Sequence, residues 1–407
     1  MDVETELEAL LIVSVVSVAA PFVSAFLARL LVPQVVVLIA GGVLIGPQVG
    51  GLAQPESVEL VANVGLGFLF LLAGYELELD HFRERSGRLA IAGWTVSAVL
   101  SIGVTGALAA AGLVNAFVPV ALALTTTALG TLLPILRDND MLDGPLGRFI
   151  MPAGAVGEFL PIAGIAIFLG SQGRLVGLFS LVAMCAVALG LAWLPRLGRL
   201  HRIEAISRKG EHATSQITLR LTLMLLFGLL VLASDVGLDV VLGAFLAGVV
   251  LRRWAPGDVA ALEDKLDAVG YGFFIPVFFV SSGMSLDLAS IREAPLRLVV
   301  FFVLLLAVRG LPAFALYRRD LDVRRRVQMM LLTATSLPLL VALATVGLDT
   351  GHMLPENAAA LIGAGVLSVM FFPGLAVALD RGARVPEPDG EPPPRPAQPA
   401  SDDQPLD

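Results

Sequence analysis

Two ionisable residues lie deep in apolar stretches of this sequence, and each stands three positions before a proline. Glu158 is near the middle of LGRFIMPAGAVGEFLPIAGIAIFLG (146–170), followed by Pro161; Arg309 is in LVVFFVLLLAVRGLPAFALY, followed by Pro312. A charge at bilayer depth is costly, so such residues face a cavity or a partner rather than lipid. Burial favours a protonated acid and a neighbouring guanidinium favours the ionised one, so a carboxylate between these influences can trade a proton for a small cation. Arginine itself stays charged in nearly any setting. With Arg309 close by, an ionised Glu158 would form a neutral site that accepts one cation or one proton, which predicts one-for-one, electroneutral exchange. The other use of such a pair is a structural ion pair locking two helices.

Oxygen ligands suit hard cations. Thr125, Thr126 and Thr127 in ALALTTTALGTLLP, with Thr335 and Ser336 in LLTATSLPLL, are the nearest candidates, and Gly157 would let a helix or an ion approach Glu158. The same hydroxyl clusters, each followed by Gly or Pro, mark places where a helix can break inside the membrane, because side chains re-satisfy the freed backbone groups. Broken helices point their dipole ends at a site; helix packing by small residues is the alternative. Glu76, Glu78, Asp235, Asp239 and Asp287 fall at span ends, where carboxylates are solvated. His81, His201, His212 and His352 share no metal-ligand spacing, and Cys185 has no second cysteine in the chain. No cofactor is expected, and the only metal expected is the transported ion at Glu158.

The elements that would hold these residues follow from composition. Of the 407 residues 57% are hydrophobic and 15% charged, with a mean hydropathy of +0.85, beyond the apolar share of soluble domains. This is an all-α polytopic membrane protein. About 20 apolar residues cross the hydrocarbon core, and thirteen spans fit: 7–30, 34–48, 57–76, 89–112, 116–136, 147–170, 174–195, 216–234, 237–252, 268–286, 296–317, 327–347 and 356–379. Those at 34–48 and 237–252 are short and Gly-rich. The acidic MDVETELEALL does not read as a cleavable leader, so the first span is expected to be retained. With the N-terminus outside, the outer loops hold only Arg174, Arg292 and Arg297 of the 27 Lys and Arg residues. The inner side gathers Arg83, Arg85 and Arg88, Arg196 to Lys209, and Arg318 to Arg326, which sets the C-terminus inside. Basic tracts for nucleic acid and a phosphate-binding Gly-rich loop are both missing from the sequence, which argues against an ATP-driven pump. From residue 381 to 407 the chain is Pro-rich and acidic, the composition of a disordered tail.

An internal repeat is legible. GFLFLLAGYELEL (67–79) resembles PVFFVSSGMSLDL (276–288), and the same offset carries Thr126 and Thr127 onto Thr335 and Ser336. Ala40-Gly41 is read onto Ala247-Gly248. Spans two to six thus match spans nine to thirteen in the opposite sense. The transmembrane domain, 1–380, divides into repeat one (about 34–170), linker helices (about 174–234) and repeat two (about 237–379). Inverted repeats suit alternating exposure of one midplane site.

The stretches IAGGVLIGP (39–47), FLFLLAGYELEL (68–79), TTTALGTLLPILRD (125–138), LGAFLAGVVL (242–251) and FFIPVFFVSSGMSLDL (273–288) resemble the bacterial monovalent cation:proton antiporters, which include Na⁺/H⁺ exchangers and potassium-efflux systems. The resemblance covers almost the whole membrane region. It implies thirteen helices in a dimerisation domain and a moving core around two crossing broken helices, spans five and twelve, and it implies a homodimer in the bacterial cytoplasmic membrane. By the same likeness the family's ion-binding acid falls on Glu158 and its basic residue on Arg309. The family's acid usually follows Asp, Asn or Gln, whereas here Gly157 precedes Glu158, which weakens a two-proton cycle. The expectation is a Na⁺ or K⁺/H⁺ antiporter and not an enzyme, its partners being the lipid bilayer, cations and protons. A sodium-coupled organic anion symporter of similar architecture and a non-transporting membrane sensor are the rivals.

Overall fold

The computed structural model describes residues 3–27, 32–76, 84–169, 174–193, 216–254, 259–293, 295–349, 351 and 353–381, and there is no strand among them. The four histidines, Glu78, nearly all of the 201–216 loop and the tail beyond Arg381 lie outside the described residues. The helices are α1 (Val3–Phe26), α2 (Gln34–Ile45), α3 (Glu59–Tyr75), α4 (Arg85–Ala110), α5 (Phe117–Ala123), α6 (Leu129–Asp138), α7 (Pro145–Phe168), α8 (Arg174–Trp193) and α9 (Ile217–Asp235). They continue as α10 (Val240–Trp254), α11 (Val259–Val269), α12 (Ile275–Met284), α13 (Leu288–Glu293), α14 (Pro295–Leu304), α15 (Leu311–Leu316), α16 (Val323–Ala334), α17 (Pro338–Asp349) and α18 (Pro355–Arg381).

Ten helical segments among the described residues are long and apolar enough to cross a membrane. The other three of the thirteen expected spans fall on α2, which has 12 residues, on α10, which has 15, and on the interrupted pair α5 and α6. Two joints are π-helical: Gly270–Phe274 between α11 and α12, and Leu305–Gly310 between α14 and α15. Each ends two residues before a proline, Pro276 or Pro312. Proline lacks the N–H that would close the preceding turn, so the turn widens there.

Two pairs of helices pack in a reciprocal way. On one side α2 lies on α12, and on the other α10 lies on α3. A side chain on Gly42 would strike the Val280 carbonyl, and one on Gly283 the Ile39 carbonyl. Correspondingly, Gly248 abuts the Leu71 carbonyl and Gly74 the Phe245 carbonyl. These reciprocal contacts pair Gly42 with Gly248, so the Ala40-Gly41 alignment read from the sequence is one residue out of register. Backbones approach this closely only where the side chain is a hydrogen atom, which is how membrane helices gain dispersion contact.

Burial separates the middle of the bundle from its edge. In the best window of Val323–Leu348, 78% of residues are buried, and in that of Pro145–Phe168, 72%; for Val3–Phe26 and Leu175–Trp193 the share is 17%. The α16/α17 pair and α7 are therefore central, and α1 and α8 peripheral.

Both central breaks have local causes. The hydroxyls of Thr125 and Thr126 donate to the carbonyls of Leu122 and Ala123, each at 2.7 Å, which uses up the acceptors at the end of α5. The second break occurs at Thr335, whose backbone is extended (φ −71°, ψ 120°). Pro338 then opens α17, the position where a missing N–H costs least. The unwound stretches bond to each other: Ala128 N–H donates to Thr335 O at 2.8 Å, and the hydroxyls of Thr126 and Ser336 are hydrogen-bonded.

Candidate ion-binding site

Pro161 explains how α7 meets this crossing. Lacking an N–H, it leaves the Gly157 carbonyl without its helical donor. The Thr127 N–H, itself outside any helix, donates to that carbonyl at 3.0 Å. Glu158 is thereby fixed beside the start of α6. That start has no side-chain cap of its own, since Ala128 occupies the N-cap position. The Glu158 carboxylate serves instead, Oε1 accepting from Gly130 N–H at 3.3 Å. An anion at a helix N-terminus is favoured by the exposed N–H groups and the dipole. Glu158 is 1% exposed, and its Oε2 has no hydrogen-bond partner among the described residues.

Arg309 comes from the second π-helical joint and is 2% exposed. Its Nε donates to Thr127 Oγ1 at 2.9 Å and its Nη2 to the Ala153 carbonyl at 2.8 Å. Thr127 Oγ1 in turn donates to Thr333 O at 2.7 Å. No nitrogen–oxygen contact within 4.0 Å joins Arg309 to Glu158. The guanidinium ties α7 to the first unwound stretch, Thr127 passes the contact on to Thr333 near the end of α16, and both direct partners of the arginine are neutral oxygens. A Cβ on Gly157 would stand 2.7 Å from Arg309 Nη2 and 2.6 Å from Thr127 Oγ1. The absent side chain at 157 thus makes room for the guanidinium.

The candidate hydroxyls cluster at the crossing but are already engaged: those of the threonines donate to backbone carbonyls, and that of Ser336 pairs with the Thr126 hydroxyl. Thr335 Oγ1 donates to Leu331 O at 3.1 Å, and Ser336 N–H donates to Ser368 Oγ on α18 at 3.0 Å. The carboxylates at span ends are engaged locally. Arg137 on α6 reaches Glu76 at 3.1 Å and Asp267 at 3.7 Å, and Asp239 caps α10 through Val241 N–H at 2.8 Å. Asp287 accepts from Gln48 Nε2 at 3.5 Å. No group of three or more His, Cys, Asp and Glu residues able to hold a metal exists among the described residues.

A cavity of about 490 Å³ lies among α1, α2, α6, α12 and α18, and Gly130, Thr131 and Tyr271 are part of its lining. Its inner wall includes the residue whose N–H holds Glu158. Tyr271, on the first π-helical joint, donates its hydroxyl to Gly130 O at 3.2 Å. Sequence reasoning did not single out Tyr271; the available signal was its place shortly before Pro276, analogous to Arg309 before Pro312. A second cavity, of about 260 Å³, is bounded by Ile165 and Ala166 of α7 and by Asp239. Ile165 is seven residues beyond Glu158 on the same face of α7, roughly 10 Å along the axis. Ile162, which is fully buried, and Phe159, whose ring packs on Phe245 of α10 with centroids 5.6 Å apart, lie in the intervening turns of α7.

Membrane-length helices and two broken helices crossing beside a buried carboxylate define a polytopic membrane protein of the ion-antiporter fold. The chain belongs to the sodium/hydrogen exchanger (transmembrane) family, which it matches over residues 12–379. It is 28% identical over 388 residues to the putative Na(+)/H(+) antiporter YjbQ of Bacillus subtilis, covering 88% of this chain and 62% of that protein. It is 29% identical over 399 residues to the glutathione-regulated potassium-efflux system protein KefC of Shigella sonnei, covering 94% of this chain and 61% of that one. The chain therefore spans about three fifths of the length of these relatives. The sodium proton antiporter MjNhaP1 from Methanocaldococcus jannaschii superposes with a TM-score of 0.65 at 17% identity, over 94% of this chain and 97% of that one. At that identity the likeness is one of fold.

Proposed function

We propose that this protein exchanges a monovalent cation, Na⁺ or K⁺, for a proton at Glu158, by alternating access. The observation that carries this reading is the free Oε2 of a fully buried carboxylate whose other oxygen is held by the N-terminus of α6. Such an oxygen can take a proton or a cation, not both, so each occupant displaces the other. The charge of Arg309 is held by Thr127 and Ala153 and stays constant through the cycle. One carboxylate that changes partner beside one fixed cation gives one positive charge in each direction, hence electroneutral exchange. The relatives named for Na⁺/H⁺ antiport and for potassium efflux support the class and leave both cations in play.

With the N-terminus outside a bacterial cytoplasmic membrane and the C-terminus inside, the Arg137 end of α6 is cytoplasmic. The larger cavity then opens inward and reaches Gly130, whose N–H holds Glu158, while the smaller one stops about two turns short of Glu158 on the outside. This is an inward-facing arrangement. Moving the core, α4 to α7 with α14 to α18, against the remaining helices would exchange the two, in a protein that functions as a homodimer. The inverted repeats, about 34–170 and 237–379, supply the two similar units this needs.

The test is Glu158→Gln in proteoliposomes, with cation-driven proton flux read by a pH-sensitive dye. The isosteric amide is expected to abolish exchange for Na⁺, K⁺ and Li⁺ alike while the protein stays folded. Exchange at the wild-type rate in that variant would overturn the reading.

A further inference from the structure

Thr131 is the third residue of α6 and is 3% exposed, yet its Oγ1 has no hydrogen-bond partner. The other threonines around the crossing all have one. Thr125 and Thr126 donate to carbonyls three residues back, and Thr333 and Thr335 to carbonyls four residues back. Buried threonines on helices normally satisfy themselves in this way. Thr131 cannot, because the carbonyl four residues back belongs to Thr127, in the unwound stretch before the helix begins. The break that creates the crossing also deprives this hydroxyl of its acceptor.

The consequence depends on where the residue sits. Thr131 and its neighbour Gly130 both line the 490 Å³ cavity, and Gly130 N–H holds Glu158 Oε1. The molecule therefore keeps two buried, unpartnered side-chain oxygens around the start of α6, Glu158 Oε2 and Thr131 Oγ1. Unpartnered buried oxygens are uncommon in folded proteins and call for an occupant. A partly dehydrated alkali cation wants a carboxylate and neutral oxygens to replace lost water. A hydroxyl with no obligation to donate along its own helix can turn its lone pairs toward such an ion. The hydroxyls of Thr125, Thr126, Thr127 and Thr335 already donate to carbonyls.

We propose that Thr131 supplies a hydroxyl oxygen to the transported monovalent cation beside Glu158 and so sets cation affinity relative to that for the proton. The proposal rests on the reading of Glu158 as the exchanging carboxylate. A proton on Glu158 does not use the threonine, whereas a cation does, so loss of the hydroxyl weakens one competitor only.

The experiment compares Thr131→Val and Thr131→Ser with the wild-type full chain in proteoliposomes, using Na⁺, K⁺ and Li⁺ in turn over a range of pH. Valine keeps the shape and removes the oxygen. The expected result is a rise of roughly tenfold in the apparent KM for the preferred cation, the size of one lost polar contact, with kcat near wild type. The pH optimum should move to the alkaline side, because a weaker cation competes with Glu158 protonation only at lower proton activity. Serine should restore both quantities. If the valine variant fails to reach the membrane, Thr131→Ala with serine as its rescue reads the same two quantities. A folded valine or alanine variant with unchanged KM and pH optimum overturns the proposal, as does a fall in kcat at unchanged KM. If Glu158→Gln is inactive while Thr131→Val behaves like wild type, only this proposal fails; if Glu158→Gln still exchanges ions, both readings fail together.

Discussion

The two breaks that cross at the centre of the molecule are alike in backbone and unlike in how they are closed. At the α16/α17 break, Ser336 N–H is taken by the hydroxyl of Ser368 on α18, and proline opens the next helix. The hydroxyls of Thr335, Ser336 and Ser368 there are neutral and each is hydrogen-bonded within the protein. At the α5/α6 break, the cap of α6 is Glu158 from α7, an acid with one oxygen to spare, and a cavity reaches the same turn. Ser368 stands within one residue of the repeat position of Glu158. On the proposed reading the two breaks share a backbone arrangement without sharing a chemistry: one is a closed joint and the other carries the exchanging carboxylate.

The sharpest way to break this comparison is to remove the acid at the α5/α6 break and the nearby base separately. Glu158→Gln is expected to remove exchange altogether. The effect of Arg309→Ala should be next in size and of a different kind. It removes two charge-assisted hydrogen bonds and leaves Thr127 Oγ1 and the Ala153 carbonyl short of a donor, which should lower stability by roughly 3 kcal/mol. Thermal unfolding in detergent, followed by tryptophan fluorescence or loss of monodisperse protein, would measure it. Because no ion pair links the two residues, most of the loss should persist in a Glu158→Gln background, with a coupling of about 0.5–1 kcal/mol through the shared Thr127 contacts. A strongly reduced loss in the double variant would mean that the two charges do interact.

Ser368→Ala carries the comparison to the closed joint. It leaves Ser336 N–H without its acceptor, which should cost about 1 kcal/mol, the scale of a lost helix cap. The pH profile and the apparent KM for cations should not move. A shifted pH profile in this variant would show that the α16/α17 break also takes part in ion binding and that the two joints are not functionally distinct.

Much of this asymmetry was legible in the residues. An acid and a base at bilayer depth can be seen in any hydropathy reading, and hydroxyl clusters before Gly or Pro mark where the helices part. Other features depend on geometry that side-chain identity does not encode. The partners of Arg309 are a hydroxyl and a carbonyl, and since every residue carries a carbonyl, nothing in the sequence separates this arrangement from an ion pair with Glu158. The repeat register slipped by one residue because IAGGV and LAGVV offer more than one match of small residues. Thr131 was passed over because its hydroxyl lacks an acceptor only if α6 starts at Leu129, and helix ends are the least legible feature of a sequence. Tyr271 was missed because a π-helical joint has no residue signature beyond the proline that follows it.

The smallest expected effect concerns how the open site is held. Tyr271 Oη donates to Gly130 O, and Asp267, four residues earlier on α11, reaches Arg137, seven residues after Gly130 on α6. Residues four apart share a face of one helix and residues seven apart share a face of the other, so α6 lies antiparallel to α11 and is tied to it at both ends. The long arginine side chain makes up the difference in span. Tyr271→Phe removes only the hydroxyl at the site end and should cost about 1 kcal/mol, as one neutral hydrogen bond does. If α6 moves with the core while α11 stays with the scaffold, that loss destabilises only the state in which the tie is made. The apparent cation affinity should then change by a few fold on the side where the larger cavity opens, and in the opposite sense on the other side. Flux measured in right-side-out and inverted vesicles would read both values. Equal changes from both sides would mean that the hydroxyl supports the site in every state, and that the tie is part of the structure common to both faces rather than a latch on one.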